Sequence, residues 1–152
     1  MRIALELKGL PYEYVPVHLV KGEQRKDAYA AKSASLLVPA LELDSGDVLE
    51  QSMAIMEYID ETHPEPALLP REATERAHVR ALAQIVACDT HPLNNLRVLK
   101  YLVNVLKVDE AAKNDWYRHW VRTGLEAYER QLARLPASKF SFGDTPTLAD
   151  CC

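Results

Sequence analysis

LLVPALELDSGDVLEQSMAIMEYID, residues 36–60, decides the fold of the N-terminal half. Ala40 to Leu43 read as a short strand, and Asp44-Ser45-Gly46-Asp47 are residues that tolerate tight-turn dihedrals. Val48-Leu49 is a second short apolar run. Beyond Gln51-Ser52 the period turns helical, with Met53, Ile55, Met56 and Ile59 largely on one side. The reading is strand, hairpin turn, strand, polar corner, helix. Ser52 is expected to be the N-cap, its hydroxyl accepting from a free N–H of the first turn. A corner with free N–H groups, a hydroxyl and an amide suits a small carboxylate. Pro39 removes a ladder donor at the strand entrance and restricts Val38, and the sequence favours a trans bond between them.

Toward the N-terminus, residues 2–8 read as a helix stopped by Gly9, suited to the left-handed C-cap, and by Pro11. No capping residue starts that helix, so a preceding segment is expected. Residues 12–19 alternate as a strand, and Pro16 places it at an edge. Residues 23–31 are expected to form a short helix with Glu23 at the positive end of its dipole.

Toward the C-terminus, three prolines between His63 and Pro70 mark a stiff connector and a domain boundary. Residues 74–88 carry Ala77, Ala81, Leu82, Ile85 and Val86 at helical spacing. Pro92 should bend or interrupt this helix before it resumes through Leu96, Leu99 and Leu102. Asp109 is expected to cap a helix over 110–135, with Trp116, Trp120, Leu125, Tyr128 and Leu132 toward a core. Thr147 and Asp150 have the spacing of a capping box. That box announces a helix continuing past Cys152, so the chain reads as cut short at both ends.

Composition narrows the class. The chain has 152 residues, 48% apolar and 26% charged, which suits one ordinary domain or two small ones. A net charge of −4 without a basic stripe argues against nucleic acid. No apolar run is long enough for a bilayer span, and the expected compartment is the cytoplasm. Cys88, Cys151 and Cys152 fit neither a zinc nor a redox motif and are read as small buried hydrophobes. No metal site is expected. His18, His63, His78 and His119 are read as structural or surface residues.

VPALEL, a short turn and LEQSMAIMEYI resemble the glutathione-binding half of a glutathione transferase. THPEPALLP, RALAQIVACDTHPLNNLRVLKYL and FGDTPTLADCC narrow the resemblance to the zeta class, the family of the maleylacetoacetate isomerases. The resemblance implies α/β plus all-α architecture: a thioredoxin-like domain over residues 1–70 without its first strand, then a helical domain over 71–152 without its last helices. Without that central strand, the chain as it stands is expected to be less stable than a full-length relative. The resemblance implies glutathione as cofactor and a cis–trans isomerase of maleylacetoacetate in aromatic amino acid breakdown. Maleylpyruvate is the second candidate substrate. A general glutathione transferase or dehalogenase, and a non-catalytic module of the same fold, are the alternatives. The full-length protein is expected to be a homodimer acting on a small keto acid.

The expected glutathione contacts are Gln24, Val38 through its backbone, Gln51 and Ser52, with His91 and Asn95 from the helical domain. For Gln51 and Ser52 a plain helix cap fits the residues as well, and Gln24, in the polar loop KGEQR, reads on sequence alone as solvated. For Asp89 to Arg97 a kink with exposed polar groups fits as well, and Arg97 suits either an acidic substrate or a helix face. The family's catalytic serine segment falls before Met1, so no catalytic residue is assigned and the chain as it stands is expected to be inactive. Ser33 and Ser35 are not read as substitutes, because they precede the proline strand rather than the first helix.

Overall fold

A computed structural model describes residues 1–152, which divide into two compact units, Met1–Leu68 and Leu69–Cys152. The first is mixed: α1 (Arg2–Leu7), α2 (Asp27–Ala30), β1 (Ala40–Glu42), β2 (Val48–Glu50) and α3 (Ser52–Thr62). β1 and β2 form an antiparallel pair in the register Ala40↔Glu50, Leu41↔Leu49, Glu42↔Val48. The turn between them closes as its residues predict. The Gly46 N–H donates to the Leu43 carbonyl at 2.8 Å with φ +88°, a dihedral that glycine adopts without a Cβ clash.

The core of this unit is Leu5, Ile55 and Ile59, with Leu41, Leu49 and Tyr58 packed against it. Helix α3 therefore covers the hairpin on one side and meets α1 on the other. Beneath them lies a charged residue. The Lys8 side chain is wholly buried, and Nζ donates to Asp60 Oδ1 at 2.8 Å, the His63 carbonyl at 2.6 Å and the Pro66 carbonyl at 2.8 Å. Asp60 Oδ1 also accepts from the Leu68 N–H at 2.8 Å, so one ion pair joins α1, the end of α3 and the chain leaving it.

Several expectations need correction here. Residues 12–19 are not a strand: nothing runs beside them to supply ladder hydrogen bonds, and Tyr14 and Val15 are exposed. The expected helix over 23–31 is a 3-10 turn, Glu23–Arg25, and then α2, separated by Lys26 in an extended conformation. Ser52 is the first helical residue rather than the N-cap. Gln51 holds the cap position at φ +70°, and its side chain makes no capping hydrogen bond. The Val38–Pro39 peptide is cis, as is Glu65–Pro66.

The regular elements of the second unit are all helices: α4 (Ala73–Gln84), α5 (His91–Asn94), α6 (Leu96–Asn104) and α7 (Glu110–Leu132). Between α4 and α5 the chain widens into a π-helical segment, Ile85–Thr90. Pro92 has no N–H for the carbonyl four residues earlier, and its ring crowds that carbonyl. The local answer is a wider turn, with the Thr90 hydroxyl donating to the Ile85 carbonyl at 2.8 Å. Asp109 caps α7 as its sequence predicts, Oδ1 accepting from the Ala112 N–H at 2.8 Å. Thr147 and Asp150 form their capping box around a short 3-10 helix, Leu148–Cys151, which packs on α4. Val79, Leu82, Ala83, Leu148 and Ala149 make up that core.

Helix α7 has no buried residue. Trp116 donates from Nε1 to the Leu93 carbonyl at 2.9 Å, and Trp120 stands edge-on to Trp116 at 5.7 Å. Gly124 and Tyr128 continue this every-fourth-residue stripe. Leu125, expected in a core, is 56% exposed, because it lies about 100° round the helix from Gly124. The cysteine expectation also fails in part, since only Cys151 is buried while Cys88 and Cys152 are exposed. No helix is long and apolar enough to cross a membrane.

Gly124 lets α7 approach the π segment. A Cβ there would stand 1.9 Å from Thr90 Oγ1 and 2.9 Å from Thr90 Cβ, so the neighbour would have to move. Gly124→Ala should destabilise the unit by about 1–3 kcal/mol despite the better helix propensity of alanine. Urea unfolding would measure it, and a gain in stability would show that the crossing is looser than described.

Candidate glutathione site

The corner is assembled by the hairpin. Ala40 pairs with Glu50, so the two residues before β1, Val38 and Pro39, flank the two after β2, Gln51 and Ser52. Val38 is 40% exposed, and neither its N–H nor its carbonyl makes a hydrogen bond within the chain. It therefore offers one donor and one acceptor along an extended backbone. Gln51 is exposed and Ser52 half-buried at the start of α3, where the Ile55 N–H closes the first turn on the Gln51 carbonyl at 3.0 Å. The positive φ of Gln51 is uncommon for a residue with a Cβ. Such outliers persist where the surroundings over-determine them and gather at ligand sites.

A second layer holds this corner. Glu50 Oε1 accepts from Ser33 Oγ at 2.5 Å and Ser35 Oγ at 2.6 Å, and Oε2 accepts from the Ala34 N–H at 3.2 Å. The Ser33 and Ser35 hydroxyls, joined by the Ser35 and Ala34 N–H groups, hold the Glu50 carboxyl below its ordinary range against the opposing effect of desolvation. The Tyr29 hydroxyl donates to the Leu37 carbonyl at 2.6 Å. Burial pushes the Tyr29 phenol up, which keeps that proton in place. None of these supporting groups was expected from the sequence. The only available signal was the two serines at 33 and 35 ahead of the valine–proline pair.

Gln24 sits on the 3-10 turn after Gly22, half-buried, and makes no hydrogen bond to Val38, Gln51 or Ser52. Its Oε1 is buried without a partner, and a buried acceptor in that state invites a donor from outside the chain. The turn before it is fixed by Glu23, whose carboxylate accepts from the His18 N–H at 2.7 Å. That bond lowers the Glu23 carboxyl from its ordinary value.

In the second unit His91 opens α5 and is exposed. Asn95 is the half-buried break between α5 and α6, and its Oδ1 caps α6 by accepting from the Arg97 N–H at 3.1 Å. The amide NH2 of Asn95 is left to donate elsewhere. Arg97 is exposed.

Residues 1–67 match the family model for the glutathione S-transferase N-terminal domain. A maleylpyruvate isomerase from a Ralstonia species is 55% identical over 152 residues, spanning 99% of this chain and 71% of that protein. The chain belongs to the glutathione S-transferase family. A holo maleylpyruvate isomerase structure, described as a bacterial zeta-class glutathione S-transferase, superposes with a TM-score of 0.94 at 55% identity, covering 99% of this chain and 71% of that one. The maleylacetoacetate isomerase of Methylobacterium extorquens, solved with malonate and glutathione bound, gives a TM-score of 0.94 at 40% identity over 98% of this chain and 70% of that one. The zeta class was thus legible in the sequence, and the N-terminal unit is the thioredoxin-like domain of a glutathione S-transferase.

Proposed function

We propose that this glutathione S-transferase chain is a glutathione-dependent cis–trans isomerase of a maleyl keto acid, with residues 1–70 holding glutathione. The carrying observation is the unpaired polar set of the N-terminal unit: the Val38 backbone, the buried Gln24 Oε1 and the strained Gln51 at the head of α3. These groups fit a tripeptide. The Val38 N–H and carbonyl supply the two bonds that an added extended peptide needs. The N-terminal end of α3, which the Gln51 side chain does not cap, suits the γ-glutamyl carboxylate together with the Ser52 hydroxyl and Gln51 amide. Gln24 Oε1 would accept an N–H of the ligand.

Bound glutathione supplies a nucleophilic sulfur for reversible addition to the conjugated cis double bond, which lets that bond rotate before the thiol leaves. The chain's part is to fix the tripeptide and orient its thiol. No residue here is assigned as catalytic. In the helical unit we assign His91 and the free Asn95 amide NH2 to ligand contact, on the family resemblance. Maleylpyruvate and maleylacetoacetate both remain substrates to try, because both are carried by the names of the relatives at 55% and 40% identity. We also propose a cytoplasmic homodimer as the working form.

The test is turnover of each keto acid by the full-length protein, with glutathione well below the substrate concentration. The expected result is complete conversion to the trans isomer with total glutathione unchanged. Stoichiometric loss of glutathione would favour a transferase, and binding without conversion would favour a non-catalytic module. Ser52→Ala should weaken glutathione binding by about tenfold, the worth of one charge-assisted hydrogen bond. Calorimetric titration reads this directly, and an unchanged affinity would remove Ser52 from the site.

A further inference from the structure

Between Glu50 and Val38 runs an unbroken chain of contacts that the corner itself does not require. Glu50 is covalently next to Gln51 and bonded to three consecutive residues, Ser33, Ala34 and Ser35. Ser33 is fully buried, and its hydroxyl lies at 2.5 Å from Glu50 Oε1 and 3.3 Å from the Leu37 carbonyl. A hydroxyl has one proton. The shorter, charge-assisted bond takes it, and the Tyr29 hydroxyl supplies the proton for Leu37 at 2.6 Å. The Leu37 carbonyl belongs to the same planar peptide as the Val38 N–H, and the two point in opposite directions. Holding that carbonyl against Ser33 and Tyr29 therefore aims the Val38 N–H the other way.

Two strained residues bracket the network, Leu36 at φ +56° and Gln51 at φ +70°. Each follows directly on a residue that the Glu50 carboxylate fixes: Leu36 follows Ser35, and Gln51 follows Glu50 itself. A strained backbone of this kind persists only when its surroundings hold it. Here one carboxylate does so for both.

We infer that Glu50 is a positioning residue for glutathione, locking the 33–35 turn so that the Val38 N–H and Gln51 face the same ligand. This rests on the glutathione site proposed above. Glu50 touches neither ligand nor reacting atoms. It acts through Ser33, Leu37 and the peptide bonds to Val38 and Gln51. Lys32, the nearest cation in sequence to the turn, is paired with Glu42 and leaves Glu50 to the hydroxyls and amides.

Glu50→Gln keeps the shape but replaces one acceptor oxygen by a donor, which must then face a hydroxyl or the Ala34 N–H. The expected result is a glutathione Kd raised about five- to tenfold, with kcat of the full-length protein at saturating glutathione changed less than about twofold. Amide signals of Val38 and Gln51 should shift in the free protein while those of α7 stay in place. Ser33→Ala with Ser35→Ala should reproduce the loss of affinity, and adding Glu50→Gln should deepen it little. A merely structural role would lower Tm yet leave Kd unchanged well below the transition, and that outcome overturns the inference. Wild-type chain that binds no glutathione would overturn the site reading and the positioning role together. Tight wild-type binding with an unaltered Glu50→Gln Kd would overturn the positioning role alone.

Discussion

Lys8→Met should cost the N-terminal unit about 3–5 kcal/mol, the range for breaking a buried ion pair from one side. All three ammonium protons are spent, on Asp60, the His63 carbonyl and the Pro66 carbonyl. Methionine fills the same channel but donates nothing. The Asp60 side chain, 11% exposed, would keep a charge with only the Leu68 N–H to compensate it. Two carbonyls would be left without their donor. One sits just past the C-terminal end of α3, where a cation also favours the helix dipole. Against a total stability of about 5–15 kcal/mol for a typical domain, that loss is enough to populate unfolded chain. Adding Asp60→Asn removes the stranded charge and should recover part of the loss, though the carbonyls stay unmet. Urea unfolding monitored in the first unit measures both. A Lys8→Met midpoint matching the wild type would mean that water replaces the ammonium and the residue is not structural.

That lysine marks where reading the sequence stops. RIALELK was legible as a helix and Gly9 as its stop, because both signals are local. A lysine in such a run is ordinarily solvated, and only the return of α3 fifty residues later buries it. The hairpin, the Asp109 cap and the Thr147–Asp150 box were legible for the same reason, each lying within a few residues of chain. Residues 12–19 carried a strand pattern, but a strand exists through its neighbour, and pattern says nothing of the neighbour. Ser52 was the right residue type for a cap. The cap falls instead on Gln51, at a positive φ directly after Glu50, whose hydrogen-bond partners come from a separate stretch. Leu125 was counted with the aromatic stripe of α7, although it lies off the line through Trp116, Trp120 and Gly124. The candidate residues Val38, Gln51 and Ser52 were named from the family motif, and the hairpin register explains why Val38 lies beside Gln51 and Ser52. The hydrogen-bonded groups beside them, Ser33, Tyr29 and Glu50, had no motif to announce them.

Ile55→Ala should cost about 2–5 kcal/mol and should also weaken glutathione binding. Ile55 is fully buried between Leu5, Ile59 and the hairpin residues Leu41 and Leu49, so truncation leaves a cavity that its neighbours fill only in part. Position matters as much as volume here. The Ile55 N–H closes the first turn of α3 on the Gln51 carbonyl, and the Ile55 side chain is what presses that turn onto the sheet. When the side chain is shortened, the turn can lift, and the strained Gln51 gains an easier conformation. The two effects separate by choice of variant. Ile55→Val keeps most of the contact, should cost about 0.5–1.5 kcal/mol, and should leave the glutathione Kd near wild type. Ile55→Ala should raise Kd at temperatures where the protein is still fully folded, because the corner moves before the unit unfolds. If Ile55→Ala lowers stability as expected while Kd stays fixed, the corner is held by Glu50 and the 33–35 turn alone. The core beneath α3 would then supply stability and no alignment.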